Sequence, residues 1–307
     1  LVVVDRLKNK RDDPEGEGKE IRPLLLILGG AMRGSYVGGQ VVALRKLGFA
    51  EHFDTVVGIS AGACDAAYFL AGDKQVLLGA SIFYEECATP EFINFRRINR
   101  VMDVELVTDT MRQGPKALDL EAINSSRSNF YIQAIDTKTD ESVFINAKTA
   151  KEGAIETIRA SMAFPFIYGK TVSIEGNEYV DGALESLPIE KIIGKFKPTD
   201  ILILPNMPFT EADTHEVSKG KHAFTNIIPK RGFLGLLRKI LEHKEELRRA
   251  LRFIKDSTGV NIGVLWPPDS GLTSLTTTSS AQIKLAIMEA AKDTLKIFNE
   301  KHEIALL

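Results

Sequence analysis

Short apolar runs alternate with amphipathic stretches along most of this chain. Residues 24–28 are continuously apolar, as a strand buried on both faces requires, and residues 37–47 carry apolar side chains at helical spacing until Gly48 stops them. Residues 55–57 form a second apolar run, and small residues with helical character follow from Ala63 to Phe69. Strand, helix, strand, helix predicts a parallel sheet joined by crossover helices. Residues 83–122 read as mostly helical and irregular, a cap or insertion. Residues 130–136 and 142–146 read as two strands around the turn 137–141, and 154–161 as a helix ended by Phe164-Pro165-Phe166. Residues 171–174 and 178–180 flank Glu175-Gly176-Asn177 as a hairpin whose second strand runs into Asp181-Gly182-Ala183. Residues 201–204 and 262–265 predict further short strands, and 278–298 a long terminal helix.

The first residues break this regularity. Residues 8–20 (KNKRDDPEGEGKE) mix charge with Pro and Gly and show no apolar period, so they predict a solvated linker. The expected organisation is an N-terminal extension and charged linker over 1–23, then one domain over 24–307. Its core motifs fall in 24–204, and a portion with helices and a strand follows in 205–307. Composition narrows function by exclusion. A net charge of -2, without a zinc-finger, basic-zipper or RNA-binding pattern, argues against nucleic acid as a partner. Cys64 and Cys87 supply neither a disulfide framework nor a metal quartet, which predicts a reducing compartment. No apolar run approaches the roughly 18 residues of a membrane span. Residues 1–4 are too short an apolar block for a signal peptide, so the expected location is cytoplasmic.

The most informative pentapeptide is Gly58-Ile59-Ser60-Ala61-Gly62, set between a predicted strand and a predicted helix. A serine on such a turn projects its hydroxyl away from the backbone, and glycines on both sides let the chain turn. The Ala61 N–H and the helix N-terminus then face a developing oxyanion. One strand earlier, residues 24–28 deliver the chain into Gly29-Gly30-Ala31-Met32-Arg33-Gly34, whose amides suit an anion. A dinucleotide pyrophosphate would call for glycine at Ala31 and a carboxylate after the second strand, and this chain has neither. A tetrahedral oxyanion formed by attack of Ser60 needs only the amides, and in a parallel sheet both loops emerge at one edge.

A serine nucleophile needs a base. His215, His222, His243 and His302 lie downstream, each in a polar or helical stretch without a strand-end setting. The ordinary α/β-hydrolase arrangement also places several strands before its elbow, where this chain has one. Asp181 leaves a strand and is followed by Gly182 and Ala183, which keep its surroundings uncrowded. Burial would raise its proton affinity above the ordinary value of about 3.9, and it is the favoured base, with a plain turn residue as the alternative.

In order and spacing these motifs resemble the patatin-like phospholipases. Gly29-Gly30-x-x-Arg33-Gly34 matches the oxyanion loop, Gly58-Ile59-Ser60-Ala61-Gly62 the elbow, and Asp181-Gly182-Ala183 the acid. Ala160-Ser161-Met162-Ala163-Phe164-Pro165 matches the helix-to-loop segment before that acid, and the similarity covers residues 24–204 and continues loosely beyond. The resemblance implies an α/β fold, a three-layer α/β/α sandwich about a central, mostly parallel sheet. It further implies Ser60 as nucleophile, Asp181 as general base, the amides of Gly30, Ala31 and Met32 as oxyanion donors, a covalent acyl-enzyme, and no metal or organic cofactor. The implied substrate is phospholipid or another acyl-ester lipid. Ala31 departs from the pattern, since many members carry glycine there, and Arg33 occupies the basic position of the motif.

One further stretch bears on substrate. Residues 217–255 hold eleven Lys or Arg against three Glu, with Phe233, Leu237, Ile240, Leu241, Leu247, Leu251 and Ile254 near helical spacing. Such a helix either lies on an anionic membrane surface or packs on the core with a solvated basic back. Residues 92–97 (FINFRR) form a second candidate for membrane contact. Two rival functions stand beside the lipid hydrolase: a serine esterase or thioesterase for small soluble acyl groups, and a lipid-surface binding protein without turnover.

Overall fold

The computed structural model describes residues 1–97, 100–165, 167–185, 187–209, 249–254, 259–269, 273–300 and 306. Strand β1 (Pro23–Ile27) is buried along its whole length, as its unbroken apolar sequence requires. It pairs in parallel with β2 (Thr55–Ile59) on one side and β7 (Asp200–Leu204) on the other, and β8 (Asn261–Val264) extends the sheet beyond β7. Beyond β2 lies β3 (Asn129–Asp136), also parallel, which carries β4 (Ser142–Asn146) antiparallel. The hairpin of β5 (Val172–Ile174) and β6 (Asn177–Asp181) completes an eight-stranded sheet of order β5-β6-β3-β2-β1-β7-β8, with β4 also on β3.

Alternate residues of β1 feed two cores, because successive side chains of a strand point to opposite faces. Leu25 and Ile27 join the apolar cluster built with α2 (Gly34–Lys46), α3 (Ala61–Ala71), α4 (Asp73–Glu85) and α9 (Ser280–Ile297). Leu24, Leu26 and Leu28 join the cluster on the other face, with Ile189 and Ile192 of α8 (Ile189–Phe196) and Ala250. Helices therefore cover both faces, and the expected three-layer α/β/α architecture with a mixed, mostly parallel sheet is the one observed. The helices α5 (Val104–Arg112), α6 (Leu120–Ser125) and α7 (Gly153–Ser161) lie between α4 and β5 in the chain.

That first element corrects the sequence reading. Residues expected as an extension leading into a solvated linker form α1 (Val2–Asp12), which packs on β7 and β8 with Val3, Val4 and Leu7 buried. Arg6 clasps the fully buried Asp200 at the start of β7, Nε donating to Oδ1 at 2.6 Å and Nη2 to Oδ2 at 3.0 Å. Three apolar side chains suffice to dock one narrow stripe, and the charged residues around them conceal its period. The 92–97 stretch is divided: Phe92 and Ile93 are buried and Ile93 bridges to Met102, whereas Phe95 and Arg96 are exposed. The basic 217–255 segment lies outside the described residues except for 249–254, where Ala250 is buried and Arg249 exposed.

Candidate active site

The elbow is a strained turn. Strand β2 ends at Ile59, Ser60 adopts φ 53° and ψ -128°, and α3 begins at Ala61. A residue with a side chain held at positive φ costs about 1–3 kcal/mol, so its surroundings must hold it there. The Ser60 N–H donates to Ser161 Oγ at 2.8 Å, and Ser161 in turn donates to the Gln133 carbonyl at 2.6 Å. The Ser60 carbonyl accepts from the Ala63 N–H at 2.9 Å. Close approach explains the glycines. A Cβ at Gly62 would lie 2.4 Å from the Ile27 carbonyl oxygen, and one at Gly29 would lie 2.3 Å from the Ile59 carbonyl and 2.5 Å from Ser60 Cβ. The glycine loop and the elbow are thus in direct backbone contact.

Strand pairing brings the acid to the serine. Ala134 of β3 pairs with Val143 of β4 and with Asp181 of β6, while the preceding Gln133 pairs with Phe144 of β4 and with Ile59 of β2. Since β4 occupies one edge of β3 at both positions, β2 and β6 share the other and meet end to end. Ser60 and Asp181 stand at that junction. Ser60 Oγ donates to Asp181 Oδ2 at 2.9 Å, although the two residues are 121 positions apart in the chain. Both are buried, Ser60 at 8% and Asp181 at 3% exposure. Asp181 Oδ1 accepts the Ala183 N–H at 2.8 Å, and the Asp181 N–H donates to the Ala163 carbonyl at 3.1 Å. Burial pushes the Asp181 carboxyl up from its ordinary 3.8 to about 7, with the hydrogen bonds from Ala183 and Ser60 pulling the other way.

Gly29, Gly30, Ala31, Met32, Arg33, Ser60, Ala61, Asp181 and Ala183 all line one cavity of about 330 Å³, near the lower end of the ~300–1,000 Å³ usual for small-molecule sites. Gly34, Gly58, Gly62 and Gly182 are absent from its lining. Gly62 and Gly182 act as spacers, and at Gly182 the Gln133 Nε2 donates to the carbonyl at 2.9 Å. The expected donors are not equivalent. Ala31 takes φ 48°, an unusual conformation for a non-glycine residue at the position where many members of the resembled family carry glycine. The Met32 N–H donates to the Leu275 carbonyl at 3.4 Å, and the Met32 carbonyl accepts from Ser35 Oγ at 2.8 Å and Thr273 Oγ1 at 2.9 Å. Met32 is thus turned toward the 273–275 loop, and Gly30, Ala31 and Ala61 are the better candidates.

The expected competing bases, His215, His222, His243 and His302, lie outside the described residues. The described His52 closes the turn before β2, at the opposite end of that strand from Ser60. Ser161 carries no role that the sequence alone assigns, and neither do Gln133, Asn206 and Thr273. Asn206 follows β7, lines the cavity, and stands so close to Gly30 that a Cβ there would meet its Nδ2 at 2.2 Å. The signal for Ser161 is its place in the 160–165 motif; Asn206 and Thr273 belong to no motif and reach the site only through the fold. Among the described residues no group of three or more His, Cys, Asp or Glu could hold a metal ion. No helix among them is long and apolar enough to cross a membrane.

The chain is 28% identical over 188 residues to the uncharacterized protein YjjU of Escherichia coli (strain K12), a match covering 59% of this chain and 51% of that protein. The chain thus spans about half the length of the curated relative it matches. Among solved structures, the crystal structure of VipD from Legionella pneumophila aligns with a TM-score of 0.42 and 12% identity, over 91% of this chain and 67% of the other. The family model for patatin-like phospholipases matches residues 25–212, more than half of the chain and a span that includes the glycine loop, the elbow and the acid. The chain belongs to the patatin-like phospholipase family.

Proposed function

We propose that this chain is a serine-dependent lipid acyl hydrolase in which Ser60 and Asp181 act as a two-residue machine. Family membership supports lipid acyl hydrolysis in general. The observation that carries the finer reading is the 2.9 Å hydrogen bond from Ser60 Oγ to Asp181 Oδ2 inside an apolar-walled cavity. Ser60 Oγ attacks the ester carbonyl while Asp181 takes its proton, and the amides of Gly30, Ala31 and Ala61 hold the oxyanion. Collapse of the tetrahedral adduct returns the proton to the departing alcohol or lysolipid and leaves an acyl group on Ser60. Water, deprotonated by the same carboxylate, attacks that ester, and the second collapse frees the fatty acid and restores the serine.

Two properties support this assignment of roles. A carboxyl titrating at about 7 is matched to proton transfer near neutral pH, where an ordinary aspartate is too weak a base. The strained Ser60 backbone aims the hydroxyl out of the turn and toward the cavity lined by the candidate donors. Phospholipid or another acyl-ester lipid is the proposed substrate, drawn from an anionic membrane surface by peripheral contact, in the cytoplasm. The test is labelling with a fluorophosphonate probe together with release of fatty acid from lipid vesicles. Ser60→Ala should abolish both, and equal labelling of the variant and the parent chain would overturn the nucleophile assignment.

A further inference from the structure

We propose that the substrate of this site is an ester with an apolar chain on each side of the scissile carbonyl, each chain seated on a different face of the sheet. The inference rests on the hydrolase reading above and deepens it. The cavity is not built from one core alone. Cys64, Phe83 and Val107 belong to the apolar cluster on the α2–α3–α4 face, whereas Ile203, Leu251 and Trp266 belong to the cluster on the α8 face. All six line the same cavity as Ser60 and Asp181. The separation follows from strand alternation: on β1, Leu25 and Ile27 enter the first cluster while Leu24 and Leu26 enter the second, which Leu28 joins just past the strand. The cavity therefore wraps the carboxyl edge of β1 and β2 and has an apolar lobe on either side of it. Ser60 stands at that edge, directly after Ile59.

The consequence is chemical. A carbonyl held by Ser60 and the glycine loop has its acyl arm and its alcohol arm pointing away from each other. A site for a fatty acyl chain with a hydrated leaving group needs one apolar lobe, with water beyond the other arm. Two apolar lobes meeting at the nucleophile desolvate both arms, and each buried methylene contributes about 0.8 kcal/mol. A long-chain ester of a long-chain alcohol fits this shape.

The experiment is a two-dimensional ester series with the full chain. One axis lengthens the acyl group from acetyl to dodecanoyl with ethanol as the alcohol, and the other lengthens the alcohol from ethyl to dodecyl with a butanoyl group. Val107→Phe fills the first lobe, and Val264→Phe, at a β8 residue that lines the cavity and packs on the second cluster, fills the second; Phe83→Ala and Trp266→Ala enlarge them, so a misfolded filling variant has a counterpart. Expected is a crossover: each filling variant lowers the long-to-short ratio of kcat/KM about tenfold or more on one axis only, and the two variants act on different axes. The enlarging variants should shift the same axes in the opposite direction. If both filling variants act on the same axis, or each acts equally on both, the two-lobe assignment is overturned while the hydrolase reading stands. Absence of turnover across the whole series, with no labelling of Ser60, overturns the hydrolase reading and this inference with it.

Discussion

Replacing Asp181 with asparagine should remove activity and, above neutral pH, stabilise the fold. The parent carboxyl is buried and titrates at about 7 in the folded chain, against an ordinary 3.8. A raised folded value means that stability is greatest while the group is protonated in both states and is lost as pH rises through the folded value. Between 3.8 and about 7 only the unfolded chain releases the proton; the penalty grows by about 1.4 kcal/mol per pH unit and levels off near 4 kcal/mol at pH 8. Asparagine avoids that penalty while keeping the local bonds: its carbonyl oxygen still accepts the Ala183 N–H, and its amide can donate to Ser60 Oγ. After allowance for imperfect accommodation, a net gain of about 2–4 kcal/mol at pH 8 corresponds to a Tm increase of roughly 3–6 °C. Thermal melts of both chains from pH 4.5 to 8 test this, and the Tm difference should shrink toward zero at the acid end. Fatty-acid release by the parent chain should fall about tenfold per pH unit below about 7, and the variant should lose ~10²–10⁴-fold. A Tm difference independent of pH, or a variant less stable than its parent at pH 8, would refute the claim that burial alone raises this carboxyl.

Two further substitutions probe the surroundings. Ser161→Ala strips a partner from the Ser60 N–H and from the Gln133 carbonyl; it should cost about 1–3 kcal/mol in denaturant unfolding and lower kcat far more than it alters KM, with partial recovery in Ser161→Thr. A uniform fall in folded fraction with kcat per folded molecule unchanged would reduce Ser161 to packing. Arg6→Leu leaves the buried Asp200 without its guanidinium, and among the described residues only the Thr199 side-chain hydroxyl still donates to it, at 2.7 Å; urea unfolding should show a loss of about 3 kcal/mol, and an unchanged midpoint would show that the Arg6–Asp200 pair does not hold α1 in place.

The amino-acid sequence by itself determined the elements and the chemistry carried by short motifs. Continuous apolar runs predicted β1, β2 and β7, helical spacing predicted α2 and the terminal helix, and strand-turn-helix signals placed Ser60 on an elbow and Asp181 at a strand end. These properties are local: burial on two faces, a turn too tight for side chains, and a helix N-terminus each leave their mark within a few residues. Periodicity failed where a stripe was too narrow to stand out, as in α1. Only the tertiary structure decided that β2 and β6 share one edge of β3, because pairing between strands distant in the chain depends on register and not on composition. That junction places Ser60 beside Asp181, buries the carboxyl, and raises it to about 7, so its strength as a base belongs to the fold and not to the residue.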